Sequence, residues 1–524
     1  MTAAVEPVRP LADTPPIDLD TMTLDSFAGR PVAVLGLARS GVALARFLVD
    51  RGARMTVYDG RPAAELARSI EALGDRRVRL LLGPEVAPDE ALRDQALVCT
   101  SPSVSSRYPT TEPRLREALG RLEAEGRVPV VSEIDLFLRL CPSTTIGVTG
   151  TKGKTTTSSF IAAVLAAGPD PVILGGNIGT PLVERLPELT ARHRVVLELS
   201  ELQLPTMSRG TDVAVYTHVT ADHLDRHGSL EAYRAAKRRL VELLPDDGTL
   251  VLNGEDPVTA PYAELRPAGA ALVRYRRQPP ERGEIGVADG WIVADTERFS
   301  GPIMPIAELL IPGEHNLSNA AAAAAVGLLF GIAPDAIRAA MAGFRGVEHR
   351  LETVATLDGV RFVNDSMGTQ PDAVIAALRS FAPPIVLIAG GRAKDLPIDE
   401  LAGVVAARAA AAVFIGESGP RLEEAFRRAG MRHTEFAADL PAAVTRADAI
   451  AHELLGGGAP SPATVLMSPA AASFDMFEDY AVRGRVFKTA VAALAAARAS
   501  VAAAGKRSPT DAGTAPDGRR PERP

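Results

Sequence analysis

Cysteine is nearly missing from this chain of 524 residues: there are two, Cys99 and Cys141. That is too few for a disulfide framework or a thiolate metal site, and it suits a reducing compartment. Long apolar runs are missing as well, since none reaches the roughly 18 residues a membrane span needs. Positive charge has no excess: the formal net charge is −7, and no basic stripe tracks a nucleic-acid backbone. Met1–Pro7 lacks the charged and apolar regions of a secretory signal. The expectation is a cytoplasmic soluble protein with no membrane or nucleic-acid partner. What is present, 46% hydrophobic and 23% charged residues, builds several buried cores, and the length suggests about three domains.

The stretch that organises the chain is Gly147-Val148-Thr149-Gly150-Thr151-Lys152-Gly153-Lys154-Thr155-Thr156-Thr157. A β-rich run, Thr144–Ile146, precedes it, and Ser158–Leu165 continues at helical spacing. Strand, glycine loop and helix together aim backbone N–H groups and a helix N-terminus at a phosphate. Gly150 and Gly153 let the backbone approach without a Cβ. Lys154 would reach the terminal phosphates, and the Thr155 hydroxyl would hold Mg²⁺. Val148 stands where the general P-loop pattern has its first glycine. The bland alternative is a glycine-rich turn with a surface lysine; the flanking strand and helix favour ATP or GTP.

Upstream, residues 1–25 read as a mobile arm rich in Pro, Asp and Thr. Pro31–Leu35 is a buried strand, Gly36-Leu37-Ala38-Arg39-Ser40-Gly41 a glycine turn, and Val42–Asp50 a helix. Ala53–Asp59 is a second strand ending in a carboxylate, which makes a Rossmann-like βαβ unit. Ala38 replaces the middle glycine of the dinucleotide fingerprint, and Leu97–Ser103 is a further strand ending in a small-residue turn at Ser101. Either these turns hold a phosphate or sugar, or they are tight α/β connections.

After the P-loop, strand signals alternate with helices: Pro171–Gly179, Arg194–Ser200 and Asp212–Tyr216. A mostly parallel sheet follows, with its site at the carboxyl ends of the strands. Glu198 and His223 would share the P-loop rim. A carboxylate between Leu197 and Leu199 needs a partner, Mg²⁺ or a salt bridge. Ser229–Leu240 is a helix capped by Ser229, on which Lys237 reads as a solvated surface lysine. Residues 245–315 suggest hairpins, and an Ala-rich helix spans Ser318–Leu329. From Gly343 the pattern restarts with strands at Gly359–Ser366, Pro384–Gly391, Ala412–Gly416 and Thr464–Pro469. Beyond about Ser500 the chain reads as disordered. The fold class is α/β in three domains: Rossmann-like over 26–142, a P-loop ATPase domain with a mostly parallel sheet over 143–345, and Rossmann-like again over 346–499, before a tail at 500–524.

Several further stretches, with the P-loop, resemble the Mur ligase family over residues 27–497. They are Gly176-Asn177-Ile178-Gly179, Glu198-Leu199-Ser200, Thr220–Asp225, Tyr233–Lys237, Gly313–Asn319, Glu348-His349-Arg350, Asn364-Asp365-Ser366 and Ser468–Asp475. The resemblance implies an ATP-dependent amide ligase of cytoplasmic peptidoglycan precursor synthesis, a monomer that adds D-glutamate to UDP-N-acetylmuramoyl-L-alanine through an acyl phosphate. It implies two Mg²⁺ ions, one held by Thr155 and Glu198, the other by His223 and a carbamate on Lys237. Lys154, His223 and Lys237 are the implied catalytic residues. ATP contacts fall on Gly150, Thr151, Lys152, Gly153, Lys154, Thr155, Thr156, Asn316, Asn319, Arg350 and Asp365. The UDP-sugar is assigned to Ala38, Arg39, Ser40, Asp59, Arg61, Ser101 and Asn177. The glutamate pocket is assigned to Thr369, Lys394, Ser473, Phe474 and Tyr480.

The family's lysine after Asn-Asp-Ser is Met367 here, with Arg392 a candidate replacement for the lost cation. This departure leaves a different added amino acid, such as L-glutamate, as an alternative. An NAD-dependent oxidoreductase built on Gly36–Asp59 leaves the P-loop and Lys237 unexplained. A non-catalytic nucleotide-binding module leaves Glu198, His223 and Lys237 without a joint purpose.

Overall fold

The computed structural model describes residues 15–179, 181–220, 228–311, 313–393 and 396–505, with side chains to residue 500. The chain divides into two compact units, Met1–Arg345 and Gly346–Pro524.

The first unit carries two sheets. β1 (Pro31–Leu35), β2 (Arg54–Asp59), β3 (Val78–Leu82), β4 (Leu97–Thr100) and β5 (Val130–Ser132) form one in the order β3-β2-β1-β4-β5, all parallel. β1 and β4 are buried at every residue, as strands covered on both faces must be. The strand order reverses between β1 and β4, so a crevice opens at their carboxyl ends. The loops there are Gly36–Ser40 and Ser101.

The second sheet contains β6 (Thr144–Thr149), β7 (Val172–Gly176), β8 (Arg194–Glu198), β9 (Val213–Tyr216), β10 (Thr249–Asn253), β11 (Ala271–Tyr275), β12 (Glu284–Ala288), β13 (Trp291–Asp295) and β14 (Ser300–Pro305). Their order is β14-β13-β12-β11-β10-β9-β6-β8-β7. The run from β7 to β12 is parallel, and β12–β14 add the expected antiparallel hairpins. The order switches at β6, which places the P-loop at this sheet's crevice. One buried apolar cluster takes residues from both sheets, including Val34, Phe47, Ile134, Leu182, Leu199 and Leu240. That shared core makes the two sheets a single unit.

The second unit is built on β15 (Glu352–Leu357), β16 (Val360–Asn364), β17 (Ile385–Gly390), β18 (Ala409–Ile415), β19 (Thr434–Phe436) and β20 (Ala463–Met467). Their order is β15-β16-β20-β17-β18-β19, parallel except for the β15–β16 hairpin. No helix among the described residues is long and apolar enough to cross a membrane.

Four sequence expectations need adjustment. The first helix starts at Arg39, not Val42. Gly41 is not a breaker, because a Cβ there would overlap the Gly36 carbonyl, so glycine permits the helix to pack on the turn. The Ala-rich helix starts at Glu314. The arm packs in its second half: Ile17 and Met22 are buried, and the Ile17 N–H donates to the Ala96 carbonyl at 2.9 Å. At the other end, helix continues from Tyr480 to Gly505 instead of loosening at Ser500. Its alanine content favours helix without any need for burial.

Candidate active site

The P-loop is held open by its neighbours. The Thr151 N–H donates to the His218 carbonyl at 2.7 Å, and Thr217 Oγ1 donates to the carbonyls of Lys152 at 2.7 Å and Thr149 at 3.2 Å. Thr151 Oγ1 donates to the Thr220 carbonyl at 3.1 Å, and it lies 2.8 Å from the Tyr233 hydroxyl. Gly150 has φ +154° and Gly153 φ +88°. A Cβ on Gly150 would overlap Thr217 Oγ1, and one on Gly153 would stand 2.8 Å from Asn319 Oδ1. Both positions exclude a side chain.

The helix Lys154–Leu165 leaves the loop, so the N-terminal N–H groups and partial positive charge of a three-turn helix face the rim. Lys154 Nζ donates to the carbonyls of Gly150 at 3.0 Å and Thr151 at 2.9 Å, curled over the cradle. Thr155 is buried behind it, Thr156 is half-buried, and Lys152 is exposed. Thr157 Oγ1 donates to Asn319 Oδ1 at 3.0 Å, and Asn319 Nδ2 donates to Asn316 Oδ1 at 3.1 Å. Asn319 therefore braces the loop from the Glu314–Leu329 helix.

Glu198 ends β8, the strand beside β6, and is 2% exposed. Its Oε1 accepts from Asn177 Nδ2 at 2.9 Å, while Oε2 is buried with no hydrogen-bond partner. A buried carboxylate oxygen without a donor is costly, and a hard divalent cation satisfies it. The donor set fits Mg²⁺: carboxylate from Glu198 and hydroxyl from Thr155.

Lys237 is not a solvated lysine. It is completely buried, and the Leu230–Glu242 helix, capped by Ser229 as expected, turns it inward. Its Nζ donates to Thr149 Oγ1 at 3.3 Å, stands 3.9 Å from Glu201 Oε2 and lies 5.6 Å from the Tyr233 ring centre. Lys237 thus reaches the end of the strand that feeds the P-loop. His223 and Lys394 lie outside the described residues.

At the crevice of the first sheet, Ala38 precedes the helix, and Arg39 and Ser40 form its first turn. Ser101 Oγ donates to the Gly36 carbonyl at 3.1 Å, which pins the loop. Asp59 Oδ2 accepts from the Leu37 N–H at 2.8 Å, and both its oxygens bind the Arg61 guanidinium. Burial alone would raise the Asp59 carboxyl, but Arg61 and the two N–H groups outweigh it and hold it below the usual range.

In the second unit, Asp365 follows β16 and is 4% exposed. Its oxygens accept from the Leu351 N–H at 3.2 Å and Ser468 Oγ at 2.6 Å. Burial pushes its carboxyl up to about 6, against the pull of Ser468, Leu351, Arg350 and Arg483. Arg350 is exposed between His349 and Leu351, whose φ angles of +65° and +46° make a strained turn. Thr369 is half-buried, Ser473 is buried, Phe474 is exposed, and the Tyr480 carbonyl accepts from Ser366 Oγ at 2.7 Å. Arg392 is exposed after β17, and its N–H donates to the Ala472 carbonyl at 2.8 Å. β20 separates its strand from the one that leads to Met367.

Three residues that organise these loops gave no sequence signal: Glu201, Glu133 and Arg483. Arg483 is fully buried, with Nη2 donating to the Ser366 carbonyl at 2.9 Å and Nη1 to the Ala471 carbonyl at 3.2 Å. It ties the Asn364–Ser366 loop to the one bearing Ser473. A charged residue on an exposed-looking helix reveals such burial only once the packing is known.

Asp365 gives a pH prediction. Its carboxyl moves from 3.8 to about 6 on folding, so the folded state binds the proton more tightly. Stability from this group is complete below pH 4 and is lost as pH rises through 6, about 3 kcal/mol in all. Asp365→Asn should therefore melt higher than the parent at pH 7.5, with the gap closing near pH 4. Thermal melts at the two pH values check this.

Models of three family domains match the chain. A Mur ligase MurD-like N-terminal domain matches residues 30–120, a Mur ligase middle domain 148–327, and a Mur ligase glutamate ligase domain 349–471. The UDP-N-acetylmuramoylalanine–D-glutamate ligase of Symbiobacterium thermophilum is 37% identical over 463 residues, covering 88% of this chain and 98% of its own length. The enzyme of the same name from Roseiflexus sp. is 38% identical over 480 residues, with the same coverage of 88% and 98%. Among solved structures, the UDP-N-acetylmuramate-alanine ligase MurC of Thermotoga maritima shares the fold at TM-score 0.51 and 18% identity, over 87% of this chain and 98% of that one. On the strength of its three domain matches and these full-length likenesses, the chain belongs to the Mur ligase family.

Proposed function

We propose that this protein is an ATP-dependent ligase that joins D-glutamate to UDP-N-acetylmuramoyl-L-alanine, releasing ADP and phosphate, in cytoplasmic peptidoglycan precursor synthesis. The observation that carries the reading is the convergence on one strand end. The P-loop with Lys154 and Thr155, the Glu198 oxygen without a donor, and the buried Lys237 amine all meet at the carboxyl end of β6 and its neighbours. The relatives named above for this activity, matched over 98% of their length, add support.

In the reaction, an oxygen of the substrate carboxylate attacks the γ-phosphorus of ATP and ADP departs. The amine of D-glutamate then attacks the acyl carbon, loses a proton, and phosphate leaves with the carbon–oxygen bond. The obstacle is repulsion between a carboxylate and a polyanionic nucleotide. Mg²⁺, held by Thr155 and Glu198, would offset that charge, with a second ion at His223 and Lys237. For the second site, the neutral Lys237 amine would take up CO₂ and release a proton, leaving an oxygen-donor carbamate. Lys154 swings from its loop carbonyls to the phosphates, and Gly150–Thr156 supply the N–H cradle.

The remaining roles follow the resemblance. Asn316, Asn319, Arg350 and Asp365 serve the nucleotide. Ala38, Arg39, Ser40, Asp59, Arg61, Ser101 and Asn177 serve the UDP-linked substrate. Thr369, Lys394, Ser473, Phe474 and Tyr480 serve the amino acid. Residues 26–142 bind the UDP-sugar, 143–345 bind ATP and 346–499 bind the amino acid, and the enzyme acts as a monomer.

Phosphate release from ATP with UDP-N-acetylmuramoyl-L-alanine tests the reading, comparing D-glutamate, L-glutamate and no amino acid. D-glutamate should be required. Release with L-glutamate alone would move the specificity, consistent with Met367. No release with any amino acid would overturn ligation in favour of a binding module.

A further inference from the structure

Arg350 sits on a turn that the fold holds in a costly shape. His349 and Leu351, the residues on either side of it, have φ +65° and +46°, left-handed angles that strain the backbone of both. Such a turn persists only where its surroundings fasten it. Here the Arg350 N–H donates to the Val347 carbonyl at 3.1 Å, the Leu351 N–H to Asp365 Oδ1 at 3.2 Å, and the Met367 N–H to the His349 carbonyl at 3.0 Å. The Arg350 side chain itself is exposed, and among the described residues it makes no hydrogen bond or ion pair. A strained, tightly held turn thus carries an uncommitted guanidinium.

One carboxylate stands at the centre of this fastening. Glu352 opens β15, and its Oε2 accepts from the His349 N–H at 3.0 Å and from Asn364 Nδ2 at 3.0 Å. The same Asn364 nitrogen lies 2.9 Å from His349 Nδ1, so the buried His349 ring is fixed along with its backbone. A Cβ on Gly484 would overlap that ring, so glycine there lets the helix Tyr480–Gly505 pack against it. From that helix, Lys488 Nζ donates to Glu352 Oε1 at 2.7 Å and to Glu348 Oε1 at 3.0 Å. One ammonium, 136 residues further along the chain than Glu352, ties together the two carboxylates that bracket Arg350. Glu352 is the better sheltered of the two, at 19% side-chain exposure against 60% for Glu348, so its pair with Lys488 is less screened by water.

We propose that Glu352, paired with Lys488, is a positioning residue for nucleotide binding: it locks the His349–Leu351 turn in the shape that presents Arg350 to ATP. This rests on the reading above that Arg350 serves the nucleotide. The physical reason is preorganisation. A guanidinium on a loose turn must be ordered when the phosphate arrives, and that ordering weakens binding. Here the contacts to Glu352 hold the strained angles before any ligand is present, so the fork of donors is already in place. Glu352 and Lys488 act through Arg350, so their effect on the nucleotide should vanish when Arg350 is gone.

The test is a double-mutant cycle, read by calorimetric titration of the full-length protein with Mg²⁺ and a non-hydrolysable ATP analogue. Arg350→Ala should weaken binding about tenfold or more, because it removes a charged donor from a phosphate. Lys488→Met, which keeps the side-chain stem and loses the charge, should weaken it about three- to tenfold. Lys488→Arg keeps the charge and should restore parent affinity. In the double variant, Lys488→Met should add nothing to the loss already caused by Arg350→Ala. A merely structural role would instead weaken both backgrounds alike, and a double variant reduced by the product of the two single effects would overturn the proposal. Parent-like binding by Lys488→Met would overturn it too. Parent-like binding by Arg350→Ala has a different meaning: the placement of Arg350 at the nucleotide is wrong, and the proposal falls with it. Glu352→Gln should behave as Lys488→Met does, and should it fail to fold, the lysine variants decide the matter.

Discussion

Lys237→Ala should lose ligation by about a thousandfold or more in kcat while still binding the UDP-linked substrate. The size follows from where the side chain is. Lys237 is fully buried, its Nζ is 3.3 Å from Thr149 Oγ1 at the end of β6, and Glu201 stands 3.9 Å away. If the phosphates react at this strand end, as proposed, a charge-stabilising group fixed there is worth several kcal/mol of barrier. The Gly36–Ser40 loop, proposed for the UDP-linked substrate, hangs on a different sheet, so binding there should survive. Alanine also empties a fully buried position, which costs a further few kcal/mol of stability. Lys237→Met separates the effects, because it fills the volume but supplies neither amine nor carbamate. It should melt above Lys237→Ala and be equally inactive. Full activity in either variant, measured as D-glutamate-dependent phosphate release, would remove Lys237 from the chemistry.

Gly150→Ala should be nearly as damaging, by a different route. With φ at +154°, the backbone is strained for any L side chain, at about 1–3 kcal/mol. The new methyl would also overlap Thr217 Oγ1, the hydroxyl that holds the carbonyls of Lys152 and Thr149. Relief requires that hydroxyl to move, and with it the loop carbonyls that Lys154 caps. ATP affinity should fall at least about tenfold, and stability by about 2–4 kcal/mol. Gly120→Ala is the control. Gly120 lies inside the helix Pro113–Glu125, where an added methyl would find nothing within 4 Å, so alanine there should stabilise by about 0.5–1 kcal/mol. Calorimetric ATP titration and thermal melts of both variants check the pair.

These two positions also mark what can be read from the sequence. Gly150 was legible because a glycine loop between an apolar run and a helix has few other uses. The three sheets were legible for a related reason: parallel strands covered on both faces read as continuous apolar runs with glycine turns. Lys237 was not. From its own helix it looks like Arg234, Arg238 and Arg239, and only the packing of that helix on β6 and β9 turns it inward. Arg483 and Glu133 hide in the same way, each buried by parts of the chain remote in sequence, such as Ser366 for Arg483 and Val183 for Glu133. The union of the first two sheets was equally invisible. It depends on long-range ties such as Asp135 to Ser208 and the Tyr108 hydroxyl to the Leu202 carbonyl. Local pattern finds sites built on a turn; sites assembled across the core need coordinates.

The most direct measurement of the central claim follows the oxygen. UDP-N-acetylmuramoyl-L-alanine labelled with ¹⁸O in its carboxylate is incubated with ATP, D-glutamate and the enzyme, and the released phosphate is analysed by mass spectrometry. An acyl-phosphate ligase must transfer one labelled oxygen to each phosphate, because the carbon–oxygen bond breaks when the amine adds. Singly labelled phosphate is the result this account predicts. Unlabelled phosphate would mean that water, not the substrate carboxylate, attacks ATP, and would contradict it.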